Sequence, residues 1–299
     1  MMHTFRRAAL AAALASTAIV VAGARQNAAP ALNTAAIDQA LGLTGQAMPG
    51  DVYRVGIPRT DLKVVVDGVS IRTGLALGGW AAFKRMGTMA AIHGDIVLLD
   101  DEVNVVISKF QSAGIEITAL HNHVLDETPH VMYLHYWGMG AEATLAKGLH
   151  DALAATKTPL TPAAPPATPI EPGFDTDAFQ KAMGRTGAVR NGVLSISVPR
   201  PEKIVMMGVE MPPSMGMATA LNVQSSGDGK VAATGDFVLL EDEVNPVAKA
   251  LRSNGIAVTA LHNHMIHGTP ALMFMHFWAH DTAANVAAGL KAATALLAK

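Results

Sequence analysis

The stretch TALHNHVLDETPHVMYLHYW, residues 118–137, returns as TALHNHMIHGTPALMFMHFW, residues 259–278. The match extends outward without a gap, residues 94–149 onto 235–290, at a constant offset of 141 and with about half the positions identical. Self-similarity at a fixed offset marks a tandem duplication, so whatever chemistry one copy carries was duplicated with it. The shared phrase sets His121, His123 and His135 of the first copy against His262, His264 and His276 of the second.

Side chains alternate across a strand, so His121 and His123 project from one face. In an antiparallel hairpin whose loop around Thr128 and Pro129 holds an odd number of residues, odd positions face odd positions. His135 is then expected opposite His121 or His123, where cross-strand Cβ atoms lie about 4.5–5.5 Å apart. Three neutral imidazoles suit zinc, copper, iron or nickel better than magnesium or calcium. With a fourth position open, such a site is of the catalytic type. The expectation is one divalent transition ion per copy, zinc foremost, with His121, His123 and His135 as one set and His262, His264 and His276 as the other. Tyr133 and Trp137, or Phe274 and Trp278, share that face and are expected to wall an apolar pocket. Glu127, beside the hairpin, is the candidate acid/base for a metal-bound water. Its counterpart is Gly268, and His280 and Asp281 replace Met139 and Gly140 in the second copy, so the two sites are expected to differ.

Around the motif, residues 36–42 and 178–184 read as short helices closed by glycine. Residues 52–58, 62–71, 80–83 and 89–99 read as strands, with 193–199, 203–211, 219–224 and 230–240 as their counterparts. The period then becomes helical: Val103, Val106, Ile107 and Phe110 recur at helical spacing, with Asp101 at the N-cap and Gly114 at the end. The second copy repeats this from Asp242 to Gly255, with Pro246 in the first turn. Strands over 115–124 and 131–137 and a helix over 142–154 complete the copy. The fold class is α+β: two tandem pseudo-symmetric units, each a four-strand meander, a helix, a β-hairpin and a closing helix, with an antiparallel sheet carrying helices on one face.

The chain divides into a leader over 1–24, a first unit over 31–156, a Pro-rich linker over 157–173 and a second unit over 174–299. In the leader, Arg6 and Arg7 precede an apolar run and a small-residue Ala22-Gly23-Ala24 site, which is the pattern of a signal peptide. The run is too short to span a bilayer, so a periplasmic or secreted protein is expected, without a transmembrane segment. The absence of cysteine excludes lipid attachment through a thiol, disulfides and thiol catalysis. A formal net charge of −2 gives no electrostatic reason to bind nucleic acid. The partner expected is a small-molecule ligand or an envelope component. A nuclease reading of His-Asn-His fails on the same absence of a basic surface.

Other groups have simpler readings. Asp100, Asp101 and Glu102, like Glu241, Asp242 and Glu243, stand at a helix start and read as capping groups. Arg59, Lys63, Arg72, Lys84 and Arg85 read as a solvated strand edge. Met206, Met207, Met211, Met215 and Met217 read as core filling, with a methionine-lined copper site as the sharper alternative.

The phrases Ile57-Pro58-Arg59, Trp80-Ala81-Ala82-Phe83-Lys84, Gly-Asp-x-Val-Leu with Asp-Glu-Val-Asn, and Ala-Leu-His-Asn-His resemble the LppY/LpqO family of exported bacterial proteins across nearly the whole mature chain. The resemblance implies an exported two-repeat protein, untethered here because no lipobox cysteine is present, and it carries no activity with it. A narrower likeness, confined to the three histidines, is to acetolactate decarboxylase, whose metal sits on a His-x-His and a third histidine of the neighbouring strand. The expectation is a metal-dependent lyase or hydrolase acting on a small carbonyl or carboxylate. The competing class is a non-catalytic envelope module whose histidines order the hairpin.

Overall fold

The computed structural model describes residues 31–161, 168–227 and 229–297. The leader expected over 1–24 and residues 162–167 of the Pro-rich linker lie outside them. The first repeat runs α1 (Thr34–Leu41), β1 (Gln46–Met48), β2 (Val52–Pro58), β3 (Val65–Val66), β4 (Val69–Ser70), α2 (Thr73–Ala76), β5 (Gly78–Met86), β6 (Met89–Leu99), α3 (Asp100–Ser112), β7 (Glu116–His121), β8 (Glu127–Thr128), β9 (Val131–Gly140) and α4 (Glu142–Leu153). The second runs α5 (Thr176–Met183), β10 (Ala188–Arg190), β11 (Val193–Pro199), β12 (Val205–Met206), β13 (Val209–Glu210), β14 (Ala218–Ser225), β15 (Val231–Leu239), α6 (Val244–Ser253), β16 (Ala257–His262), β17 (Gly268–Thr269), β18 (Met273–Asp281) and α7 (Ala283–Thr294), with a 3-10 turn, Pro213–Met215, in place of α2.

Each repeat forms its own six-stranded antiparallel sheet, in the orders β1-β2-β5-β6-β9-β7 and β10-β11-β14-β15-β18-β16. Alternation decides what each face does. Even positions of β6 and β9 (Ala90, Ile92, Ile96, Leu98, Leu134, Tyr136) pack with Ile37, Val106, Phe110, Leu145 and Leu149 of α1, α3 and α4 in an apolar core. The second repeat repeats this core with its own helices. The opposite faces of the two sheets meet each other. Val52, Trp80, Ala82, Ala91 and Trp137 of the first repeat share a cluster with Met206, Met211, Met215, Met217 and Phe274 of the second. Val64, Val66, Leu75 and Tyr133 share another with Val193, Ala232 and Trp278. The result is four layers, helices outside and two sheets inside. Four of the five methionines singled out by sequence fill this inter-sheet core, while Met207 is 44% exposed.

Polar clasps cross the same interface in matched pairs. The Asn122 side chain donates to Thr259 O at 3.1 Å and that of Asn263 to Thr118 O at 2.9 Å. Each also holds its own loop, at Val124 O and Met265 O. The asparagine of His-Asn-His therefore ties one repeat to the other.

Two local expectations are corrected. The valine-rich run 62–71 is not one strand: Asp67 and Gly68, at φ 49° and 78°, make a two-residue turn between β3 and β4, the left-handed pair that a tight hairpin requires. The Thr128-Pro129 turn is part of a longer excursion over residues 122–130, in which β8 leaves the hairpin to pair with β3 (Val65↔Thr128, Val66↔Glu127). The register is accordingly His121↔Tyr133 and Ala119↔His135. The odd-to-odd parity is as expected, but His135 lies diagonal to His121 instead of opposite it.

Arg59 is not at a solvated edge either, since it is 0% exposed. Its guanidinium binds Glu102 at 2.6 Å, Asp61 at 2.9 Å and Val97 O at 3.0 Å. Glu102 caps α3 by accepting Leu99 N–H at 2.9 Å, so the helix opens at Asp100 with Leu99, not Asp101, in the cap position. Arg200, Glu202 and Glu243 repeat the arrangement. Arg72 and Arg85 are also engaged, with Gly192 O and Glu142.

Gly94 and Gly235 lie where strands approach most closely. A Cβ on Gly235 would stand 1.9 Å from Ala220 O, and one on Gly94 would stand 2.4 Å from Trp80 O. Gly235→Ala is expected to destabilise the protein by roughly 1–3 kcal/mol through overpacking against backbone. Arg59→Ala strands buried Glu102 and is expected to cost about 3–5 kcal/mol. Urea unfolding of both variants checks these values.

Candidate metal centre

Odd positions of the central strands face the other repeat. On β6 these are Ala91, His93, Asp95 and Val97, and on β9 Tyr133, His135 and Trp137. Register sets Asp95 beside His135 and, in the second sheet, Asp236 beside His276. Packing the sheets face to face brings the two histidine rows together. The His121 and His262 rings stack with centroids 3.7 Å apart. His123 stands 3.8 Å from His276, and His135 stands 3.7 Å from His264. The second histidine of each His-x-His thus lies over the third histidine of the other repeat.

All six expected ligands gather here, yet not as one set per repeat. Among the described residues, four sets have donor atoms within 4.8 Å of one another: His93, His135 and His264; His121, His123 and His276; His121, His135 and His262; and Asp236, His262 and His276. Three of these four draw on both repeats, and neither of the two sets expected from sequence is among them. The cause is the inter-sheet packing, which no pattern within one repeat specifies. Glu127 belongs to none of these sets. It lies on β8, is 6% exposed, and accepts Val131 N–H at 3.4 Å. The aromatic residues do not wall a pocket. Tyr133 stacks on His123 at 3.2 Å and Phe274 on His264 at 3.4 Å, which fixes the ring planes.

The tautomers follow from the hydrogen bonds. His135 Nδ1 lies 3.0 Å from Gly94 O, His276 Nδ1 2.7 Å from Gly235 O, His121 Nδ1 3.1 Å from Asn122 O and His93 Nδ1 3.1 Å from Tyr136 O. A carbonyl only accepts, so each Nδ1 carries the proton and each Nε2 presents a lone pair. Backbone orientation of the distal nitrogen is how metal-binding histidines are held. Those Nε2 atoms are buried and have no hydrogen-bond partner among the described residues, as is also true of Nε2 of His262 and Oδ1 of Asp95 and Asp236. Around them, His123 Nε2 is 3.7 Å from Asp95 and His264 Nε2 is 3.0 Å from Asp236.

Burial pushes the imidazoles down, His93 and His121 to about 3 and His276 to about 4, with His123, His135, His262 and His264 also well below the usual histidine range. They are neutral at physiological pH, the form that binds metal. Burial and the charge of Asp236 hold Asp95 well above the carboxylate range, and burial raises Asp236 to about 6. Two carboxylates whose ionisation burial disfavours, Asp95 more than Asp236, and a set of oriented lone pairs describe an environment that lacks positive charge.

A cavity of about 300 Å³ opens onto the cluster, reaching Asp95, His123, His135, Asp236 and His264, with Arg54 and Trp80 on its wall. His93, Asp95 and Asp236 were not among the residues expected from sequence. The signal was present: on β6 two polar residues share the inner face of an otherwise apolar strand, and Gly-Asp recurs at 94–95 and 235–236.

Two segments, residues 35–155 and 177–296, match the family described as Domain of Unknown Function (DUF1259), and the chain belongs to that family as a tandem pair of its domains. No curated protein matches it. Among solved structures, a trimeric bacterial microcompartment shell protein, PduB, aligns over 85% of this chain and 90% of its own at 10% identity, with a TM-score of 0.21. Among the described residues no helix is long and apolar enough to cross a membrane.

If an ion completes these donors, it stabilises the folded chain by mass action. Zinc at a hundredfold excess over its Kd is expected to add about 2.7 kcal/mol. That raises the Tm of the chelator-treated protein by roughly 5–10 °C. An unchanged Tm in calorimetry shows that the histidines take no ion.

Proposed function

We propose that this chain is an exported metalloprotein whose two repeats jointly hold a divalent transition ion, zinc by the character of the donors, and that it acts as a lyase or hydrolase on a small carbonyl or carboxylate substrate. The observation that carries the reading is the convergence of oriented, buried, unpartnered Nε2 atoms on one another from both sheets. Each such orphan costs about 1–3 kcal/mol, and the cluster is intelligible when a cation pairs them. Neutral nitrogen donors with a carboxylate at hand favour zinc over magnesium or calcium.

Bound there, the ion supplies a Lewis acid or a hydroxide source near neutral pH. The protein's own groups supply the rest. Stacking of Tyr133 and Phe274 holds the imidazoles, and the cavity admits a molecule of a few carbons. The proton-handling role expected of Glu127 passes to Asp95, which faces the cavity and the histidines, whereas Glu127 braces the β8 turn. The resemblance of the family phrases to LppY/LpqO proteins and the leader pattern support export.

Metal analysis tests the reading. The purified protein, loaded with zinc and desalted, is expected to retain metal. His123→Ala in the first repeat and His276→Ala in the second are each expected to lower retention to the same extent, because both side chains serve one set. Retention of no metal by the parent protein sinks the proposal. A loss confined to half of the metal in each variant restores the independent sites that the duplication alone suggests.

A further inference from the structure

The inner faces of the two sheets are not equivalent, and their differences collect around the cavity. Arg54 on β2 faces inward, where its counterpart on β11 is Ser195: Arg54 pairs with Ala82 and Ser195 with Asn222 in matching registers. Trp80 stands beside Asp95 on the neighbouring strand, where Ala220 stands beside Asp236. His93 bonds Tyr136 O, where Thr234 donates to Phe277 O at 2.7 Å. The first sheet therefore offers a cation, a large aromatic ring and an extra imidazole. The second offers small groups, Ser197, Ala218, Ala220 and Gly216, across from them, and the cavity lies between. A Cβ on Gly216 would come within 2.9 Å of the Trp80 ring, so the glycine keeps that space open.

Arg54 differs from the arginines that close ion pairs in the fold. Arg59, Arg200 and Arg85 are each matched by carboxylates at contact distance. Arg54 has no carboxylate within salt-bridge distance among the described residues. Its guanidinium lies 4.0 Å over the Trp80 ring, and Nη1 donates to Ser214 O at 2.7 Å. Burial brings it down to about 10, so it stays charged at neutral pH. A guanidinium held in place by ring stacking and one carbonyl retains donors in a planar fork suited to a carboxylate. An unpaired cation in a partly desolvated wall is a costly arrangement that an anionic ligand relieves.

Resting on the metal reading above, we propose that Arg54 anchors the carboxylate of the substrate, so that the chain takes one small carboxylate with a second oxygen group directed toward the histidines. Arg54 and the histidine row lie in the same cavity, a few strand spacings of about 4.8 Å apart before side-chain reach is subtracted. A molecule of three or four carbons bridges such a gap. The absence of arginine and tryptophan at Ser195 and Ala220 limits recognition to one orientation, so a doubled scaffold binds a single ligand.

The test uses the purified protein loaded with cobalt(II), with malonate as the probe and malonamide as its uncharged analogue. Malonate is expected to change the visible cobalt bands and to titrate calorimetrically at one equivalent per chain, while malonamide leaves both unchanged. Arg54→Gln and Arg54→Lys are expected to retain the parent cobalt content, with malonate affinity at least tenfold lower in the first and intermediate in the second. Cobalt retained with no malonate binding, equal malonate affinity in parent and Arg54→Gln, or two equivalents bound overturns the anchor and leaves the metal reading standing. Failure of the parent protein to retain cobalt overturns both.

Discussion

The fold depends on one constraint: two sheet faces, each with polar groups at the middle of its strands, are pressed against each other, leaving those groups largely buried around a single cavity. A sheet can be apolar on both faces, as the helix-covered sides nearly are. The inner faces are apolar only around the rim, where methionines, tryptophans and valines interlock. At their centre stand imidazoles and two carboxylates. Unpartnered buried atoms among them, at about 1–3 kcal/mol each, amount to a penalty that is a sizeable fraction of the stability of an ordinary domain. The apolar rim therefore works against the polar centre; under the metal reading proposed above, ion binding would offset that cost and couple to folding.

Duplication explains how so dense a cluster is assembled from one short phrase. A pseudo-twofold arrangement makes the central contacts occur in pairs, His123 over His276 and His264 over His135, Asn122 to Thr259 O and Asn263 to Thr118 O. Half a centre in each repeat becomes a whole one when the faces meet, and the asparagine between the two histidines locks that meeting. It follows that neither repeat carries the complete environment: severed from its partner, each exposes half of an inter-sheet core as well as half of the donor set.

Much of this was written in the chain in readable form. The 141-residue offset announced two like units, the helical period from Val103 to Phe110 announced α3, and the alternation around His121 and His135 put both on one face. Three things escaped. Residues 62–71 looked like one strand because valines dominate, although the Asp67-Gly68 pair is a turn signal. Arg59 looked exposed because charge usually is, whereas its partners Asp61 and Glu102 come from two and 43 positions away and only one of those is a local signal. The grouping of histidines across repeats was invisible because strand parity fixes faces within a sheet and says nothing of which sheet a face will meet. Asp95 and His93 were legible in principle, since polar residues at the centre of a buried strand carry an energetic penalty that needs a reason.

The asymmetry between repeats has a physical role of its own. A ligand placed near a pseudo-twofold axis in a perfectly duplicated site would find two equal orientations, and each would be productive or unproductive by chance. Breaking the symmetry on the inner wall at Arg54, Trp80 and His93, while keeping it in the clasps and cores, makes the two orientations unequal at no loss to the scaffold. The replaced positions show how little the fold needs them: Thr234 satisfies the Phe277 carbonyl as well as His93 satisfies that of Tyr136. What the first repeat gains over the second is therefore not structural support but charge and ring surface directed into the cavity, with one further lone pair at His93 buried beside it.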